Sequence, residues 1–132
     1  MAIGHLTLAR AFATFGARLA NYNWAISAIA EDGALVYSCW NELLKQSGGL
    51  LRYTDRLSRW RSNVQGNQLA HEHLTSAFHD NRPVRLVVAM TKDPGLLTAG
   101  AKTRGQTKWS VRKDVEGRVI SFDGDKFVID FR

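Results

Sequence analysis

Cysteine is almost missing from this chain. Cys39 stands alone, so no internal disulfide can form, and a reducing, cytoplasmic setting is expected. Long apolar runs are missing too. None approaches the roughly 18 residues that a membrane span needs, and the first residues lack a compact apolar stretch ending in a small-residue cleavage site. Neither a span nor a secretory leader is therefore expected. No glycine-rich phosphate loop of the Walker or dinucleotide type occurs. A helical zinc site usually pairs His at i and i+4. Here the i+4 partner of His71 is Thr75 and that of His73 is Ala77. With one cysteine besides, no metal and no cofactor is expected, and no catalytic residue is assigned.

What remains is an ordinary globular composition. Hydrophobic residues make up 45% and charged residues 23% of 132, which excludes a disordered chain and suits one domain with its own core. Lys and Arg number 18 against 12 for Asp and Glu, a net charge of +6. That excess suits a polyanionic partner.

Periodicity divides the chain. Residues 1–21 predict an opening helix, with Arg10 and Arg18 near one another on its polar side. Residues 24–29 and 34–40 are β-capable runs around Asp32-Gly33, a hairpin signal. Trp24, Ile26 and Ala28 would share one face of it, and Leu35, Tyr37 and Cys39 one face of the partner strand. Leu50, Tyr53, Leu57 and Trp60 follow the 3,4,3 spacing of a helix face, predicting a helix over residues 50–61. Residues 62–66 read as a loop. Residues 67–79 read as an amphipathic helix with Leu74, Ala77 and Phe78 inward. Residues 84–90 form the strongest strand, expected centrally in its sheet. Residues 96–107 read as a long loop and residues 109–111 as a short strand. Residues 119–122 and 126–131 flank Asp123-Gly124-Asp125 as a second hairpin.

Basic residues cluster. Lys102, Arg104, Lys108, Arg112 and Lys113 occupy twelve positions without an acid, and Trp109 sits among them. Cations neutralise phosphates, and a flat aromatic stacks on a base or wedges a base step. Arg52, Arg56 and Arg59 form a second row one position behind the apolar face, able to track a phosphate backbone. The alternative for this row is a solvated helix face. Trp24, Trp40 and Trp60 fit core positions, and also fit the walls of a pocket holding an extruded base. Asp123, Asp125 and Lys126 are the tightest acid–lysine group, but turn geometry alone explains them. A nuclease would need a further carboxylate such as Asp130. Cys39, inside a β run, reads as a buried, inert thiol.

Several patterns resemble small domains of restriction-type defence proteins. These are Asn23-Trp24 opening a β run, Glu31-Asp32-Gly33, residues 36–40 followed by Asn41-Glu42, and Arg112-Lys113-Asp114 before the last hairpin. Trp60, Asn67, Ala77-Phe78 and residues 84–88 fall in an order similar to that of base-reading domains of the YTH/EVE, PUA-like class. The resemblance implies that Trp60, Asn67 and Trp109 line a pocket for a modified base.

The expected fold is a single α+β domain over residues 1–132. Two or three helices would pack on a small, mainly antiparallel sheet of four or five strands, arranged as a PUA-like or SH3-like partial barrel. The expected function is non-catalytic nucleic-acid binding, DNA before RNA, in defence, counter-defence or regulation. A protein-binding inhibitor or adaptor with a basic docking surface is the alternative, and a metal-dependent nuclease the third.

Overall fold

The computed structural model describes residues 6–21, 24–60, 62–91 and 107–132. Among these, seven strands form one mixed sheet accompanied by two α-helices and two short 3-10 turns. The strands are β1 (Ser27–Ile29), β2 (Leu35–Trp40), β3 (Leu44–Ser47), β4 (Leu50–Arg56), β5 (Val84–Thr91), β6 (Thr107–Phe122) and β7 (Lys126–Phe131). Their spatial order is β1-β2-β5-β6-β7-β4-β3. All neighbours run antiparallel except β2 and β5, which are parallel. The mixed helix-and-sheet character agrees with the expectation. The strand number is higher, and the sheet is open, with β1 and β3 at its edges, rather than a closed barrel.

Helix α1 (Leu8–Ala13) is much shorter than the sequence suggests. Gly16 stops it, since its positive φ of 73° is cheap only for glycine. Its N–H and that of Ala17 then satisfy the carbonyls of Ala13 and Phe12, closing the helix end. Arg18 consequently lies beyond the helix that carries Arg10. Helix α2 (Val64–His79) starts three residues earlier than expected. Asn63 caps it by accepting a hydrogen bond from the Gly66 N–H, and its Nδ2 donates to the Trp24 carbonyl. Gly66 reads as a breaker in sequence, yet here it lets the first turn lie against Trp24, where a Cβ would collide with that carbonyl. Phe78, expected inward, is 45% exposed, and Gly66, Ala70, Leu74 and Ala77 form the buried stripe.

The largest correction concerns residues 50–61. They form β4 followed by a 3-10 turn (Leu57–Trp60), not a helix. Tyr53, Asp55 and Leu57 are buried while Arg52 and Arg56 are exposed, a period of two. The 3,4,3 spacing is accidental: Leu50 pairs with Ser47 at the hairpin end and Trp60 belongs to the turn.

Two cores occupy the two faces of the sheet. On one face, Leu35, Tyr37, Cys39, Leu86, Val119, Ile129 and Phe131 pack with the stripe of α2. On the other, Val36, Val87, Ala28 and Trp109 pack with Ala11 and Phe12 of α1. Alternate residues of β2 and β5 thus serve both layers, which is why residues 84–90 read as a continuous apolar run. β5 sits between β2 and β6, as expected of the strongest strand. Ala28 joins the α1 side whereas Ile26 packs on the α2 side, so the expected common face with Trp24 is not kept. Both predicted hairpins form. Gly33 and Gly124 hold positive φ at their turns, and β6 extends far beyond residues 109–111. Most of the expected loop 96–107 lies outside the described residues; Thr107 begins β6.

Candidate nucleic-acid interface

Of the basic run, Lys102 and Arg104 lie outside the described residues, while Lys108, Trp109, Arg112 and Lys113 belong to β6. The register separates them. Trp109 and Val111 pack on the α1 side, and the Trp109 carbonyl accepts a hydrogen bond from Leu6 N–H at 3.1 Å. Lys108 pairs with Met90 and Arg112 with Leu86, residues of the α2 side, so these cations alternate onto the opposite face from Trp109. Trp109 is therefore partly buried structure beneath the basic strand rather than a ring standing among its cations.

Three arginines of the predicted patches, Arg52, Arg59 and Arg112, are engaged internally, whereas the Arg56 side chain forms no ion pair among the described residues. Arg112 donates Nε and Nη2 to the two oxygens of Asp114, each at 2.8 Å, and this guanidinium holds the Asp114 carboxyl down at about 2. Arg52 forks onto Asp130 at 2.7 and 2.9 Å. Arg59 donates Nε to Asp55 at 2.7 Å. Asp55 is 5% exposed and also accepts from the Tyr53 hydroxyl and the Arg56 N–H, so three donors offset its burial. Arg52 and Arg56 point to the solvent side of β4, while Arg59 leaves that side for Asp55. The expected row of three does not exist.

Lysines behave differently. Lys45, Lys108, Lys113 and Lys126 are all exposed, and none forms an ion pair among the described residues. Their charge is available to an external anion.

Trp60 and Asn67 do come together. Asn67 donates Nδ2 to the Trp60 carbonyl at 2.9 Å, and its Oδ1 is buried without a partner. The Trp60 ring stands 5.7 Å from that of Trp40, tilted by 36°, within the usual range for an aromatic pair. Trp40 thus pairs with Trp60. Glu42, two residues beyond Trp40, has a second buried, unpartnered oxygen, Oε2. Two surface depressions among the described residues lie elsewhere. One runs along the outer side of α2 between His71 and Asp80, the other beside α1 at Ala13 and Leu19.

The remaining chemical groups have structural roles. Asp123 Oδ1 accepts the N–H groups of Asp125 and Lys126, shaping the hairpin turn. The Asp125 carboxylate accepts from the N–H and hydroxyl of Ser58. Asp130 holds Arg52, so the three acids of the nuclease hypothesis are spread over three different contacts. No cluster of three or more His, Cys, Asp or Glu side chains able to hold a metal occurs among the described residues. Cys39 is buried, and burial pushes its thiol well above the ordinary value. No described helix is long and apolar enough to cross a membrane.

Sequence reasoning missed Lys45, Lys126 and Arg118 as neighbours of Arg52 and Arg56. The available signal was Ser47-Gly48-Gly49, which closes a β3–β4 hairpin and brings Lys45 opposite Arg52. The chain matches no protein-family model, no curated protein and no solved structure.

Proposed function

We propose that this chain is a non-catalytic nucleic-acid-binding protein, for DNA before RNA, working in the cytoplasm in defence, counter-defence or regulation. The observation that supports this most is the division of labour between its cations. Six described arginines (Arg52, Arg59, Arg82, Arg85, Arg112 and Arg118) are matched by carboxylates, whereas every described lysine faces solvent unpaired. An ammonium on a flexible stem suits contact with a phosphate as a point charge. Lys108 and Lys113 on β6 supply such contacts beside Arg112. The test is fluorescence anisotropy with labelled duplex DNA, single-stranded DNA and RNA over a salt series. Binding with a steep negative log–log salt slope supports the reading. Absence of binding to all three at low salt overturns it.

A second reading, a pocket for a modified base within a PUA-like arrangement, has Asn67 in its favour. Its Oδ1, on the amide whose Nδ2 donates to the Trp60 carbonyl, is a buried acceptor without a partner among the described residues, which an amino group would satisfy. Equal affinity for plain and modified-cytosine DNA at fixed salt would dismiss this pocket.

A further inference from the structure

We propose that the uncovered half of the sheet, the solvent face of β3, β4, β7 and the C-terminal part of β6, docks the phosphate backbone of a nucleic acid without reading its sequence. The proposal rests on the nucleic-acid reading above and adds the surface and the mode of contact.

The face follows from alternation. Tyr53, Ile129 and Val119 are in register across β4, β7 and β6, and all three are buried toward α2. Their neighbours Arg52, Asp130 and Arg118 are likewise in register and point the other way, with Lys45 of β3 opposite Arg52. Helix α1 covers this side of the sheet only over β1, β2, β5 and the first part of β6. Among the described residues no helix packs over β4 and β7 on this side. Arg52 keeps half of its side chain exposed, Arg118 41%, and Ile120 beside them 45%.

Four strands at about 4.8 Å spacing place Lys45 and Arg118 roughly 14 Å apart. Along β4, Arg52 and Arg56 are four residues apart, about 13 Å. Arg56 stands opposite Lys126 of β7. Lys45, Arg52, Arg118, Arg56 and Lys126 therefore share a patch as long as about four base pairs of duplex at ~3.4 Å per step.

Two like-charge cross-strand pairs occur on this one face, Lys45 with Arg52 and Arg56 with Lys126. Directly opposed like charges destabilise a sheet. A bound polyanion reverses that cost. The carboxylates here do not cancel the patch. Asp130 forks Arg52, and Glu116 accepts from both Arg118 and Arg85. Asp123 is held as a carboxylate chiefly by the backbone N–H groups of Asp125 and Lys126, with smaller contributions from the Arg56 and Lys126 charges. Asp130 and Glu116 hold guanidiniums in place and leave positive charge in excess. Between the cations stand Thr54, Val128 and Ile120, and among the described residues no aromatic ring on this face is placed to stack on a base. With Arg52 and Arg118 already held by carboxylates, the face is suited to gripping phosphates rather than to stacking on bases.

The experiment compares the wild-type chain with the double variant Lys45→Glu, Lys126→Gln in duplex-DNA anisotropy over a salt series, with thermal unfolding in parallel. The expected result is a log–log salt slope smaller by about two and weaker binding to unrelated duplex sequences alike. The unfolding midpoint should not fall, because Lys45→Glu relieves one like-charge pair. A second variant, Lys45→Ala with Lys126→Ala, must move the slope in the same direction. Wild-type binding that both variants leave unchanged overturns this face and leaves the nucleic-acid reading standing. Wild-type protein that binds no nucleic acid overturns both.

Discussion

Ser27 Oγ lies 2.8 Å from His73 Nδ1, a hydrogen bond that joins β1 to α2. Ser27 is fully buried, so this bond satisfies its hydroxyl, and which of the two groups donates depends on the imidazole tautomer. Burial lowers the His73 pKa below its ordinary 6.5, with Glu72 opposing weakly. The unfolded chain therefore takes up the proton first, and stability is lost as pH falls through 6.5 toward the lower folded value. Urea unfolding at about pH 7 and about pH 5.5 should show a lower midpoint at the acid end. In His73→Gln that difference should shrink. Asp32, Asp80, Asp114, Glu116 and Asp123, whose folded pKa values are depressed, add their loss only in a more acid window, below their ordinary 3.8 to 4.5.

Arg59→Ala would leave the Asp55 carboxylate buried with one charged donor fewer. A hydrogen bond between charged groups contributes about 2 kcal/mol. Chemical denaturation should register a loss of that order. Tyr53→Phe should cost about 1 kcal/mol, because it removes a neutral donor from the same oxygen pair.

Gly117 has no room for a side chain. A Cβ there would stand 2.5 Å from the ring of Phe131, which is fully buried. Gly117→Ala should destabilise by about 2 kcal/mol, as overpacked cores do. Combining it with Phe131→Leu should recover part of the loss, because the two changes share one contact.

On β6, charge should count by how free it is. Lys108→Glu with Lys113→Glu is expected to weaken nucleic-acid binding and reduce the salt slope by about two. Arg112→Gln should do less, since its guanidinium is already held by Asp114. An Arg112→Gln effect larger than that of the lysine pair would contradict this ordering.

The same ion pair can be followed directly. Arg112 is the main reason the Asp114 carboxyl sits at about 2 instead of 3.8. In Arg112→Gln, NMR titration should show that carboxyl moving up toward its ordinary value.

Hairpins with acidic-glycine turns, and the continuous apolar run of β5, were legible because each strand and turn carries its own local signal. β4 was not. Its buried face reads Leu51, Tyr53, Asp55, and the carboxylate at the third position breaks the apolar alternation. Only the folded contacts of Asp55 with Tyr53 and Arg59 explain an acid there. Its partner β3 is a polar edge strand, Leu-Lys-Gln-Ser, with one apolar residue to show a period. The helix reading of residues 50–61 then carried an error into the site, grouping Arg59 with Arg52 and Arg56. Residue types that suit phosphates were visible in the sequence. Which of them are already neutralised was not, because Asp130 lies 78 residues from Arg52 and meets it only through strand register.

The parallel seam between β2 and β5 bears on how this molecule assembles. Each antiparallel hairpin closes over a few residues and can form early and alone. The β2–β5 ladder closes only after residues 41–83, with the β3–β4 hairpin and the whole of α2, have looped out and returned. Chain entropy is lost before such contacts reward it, so this seam, together with the still longer closure of β4 onto β7, should set the folding rate. A backbone break within that excursion should slow refolding far more than one at either hairpin tip.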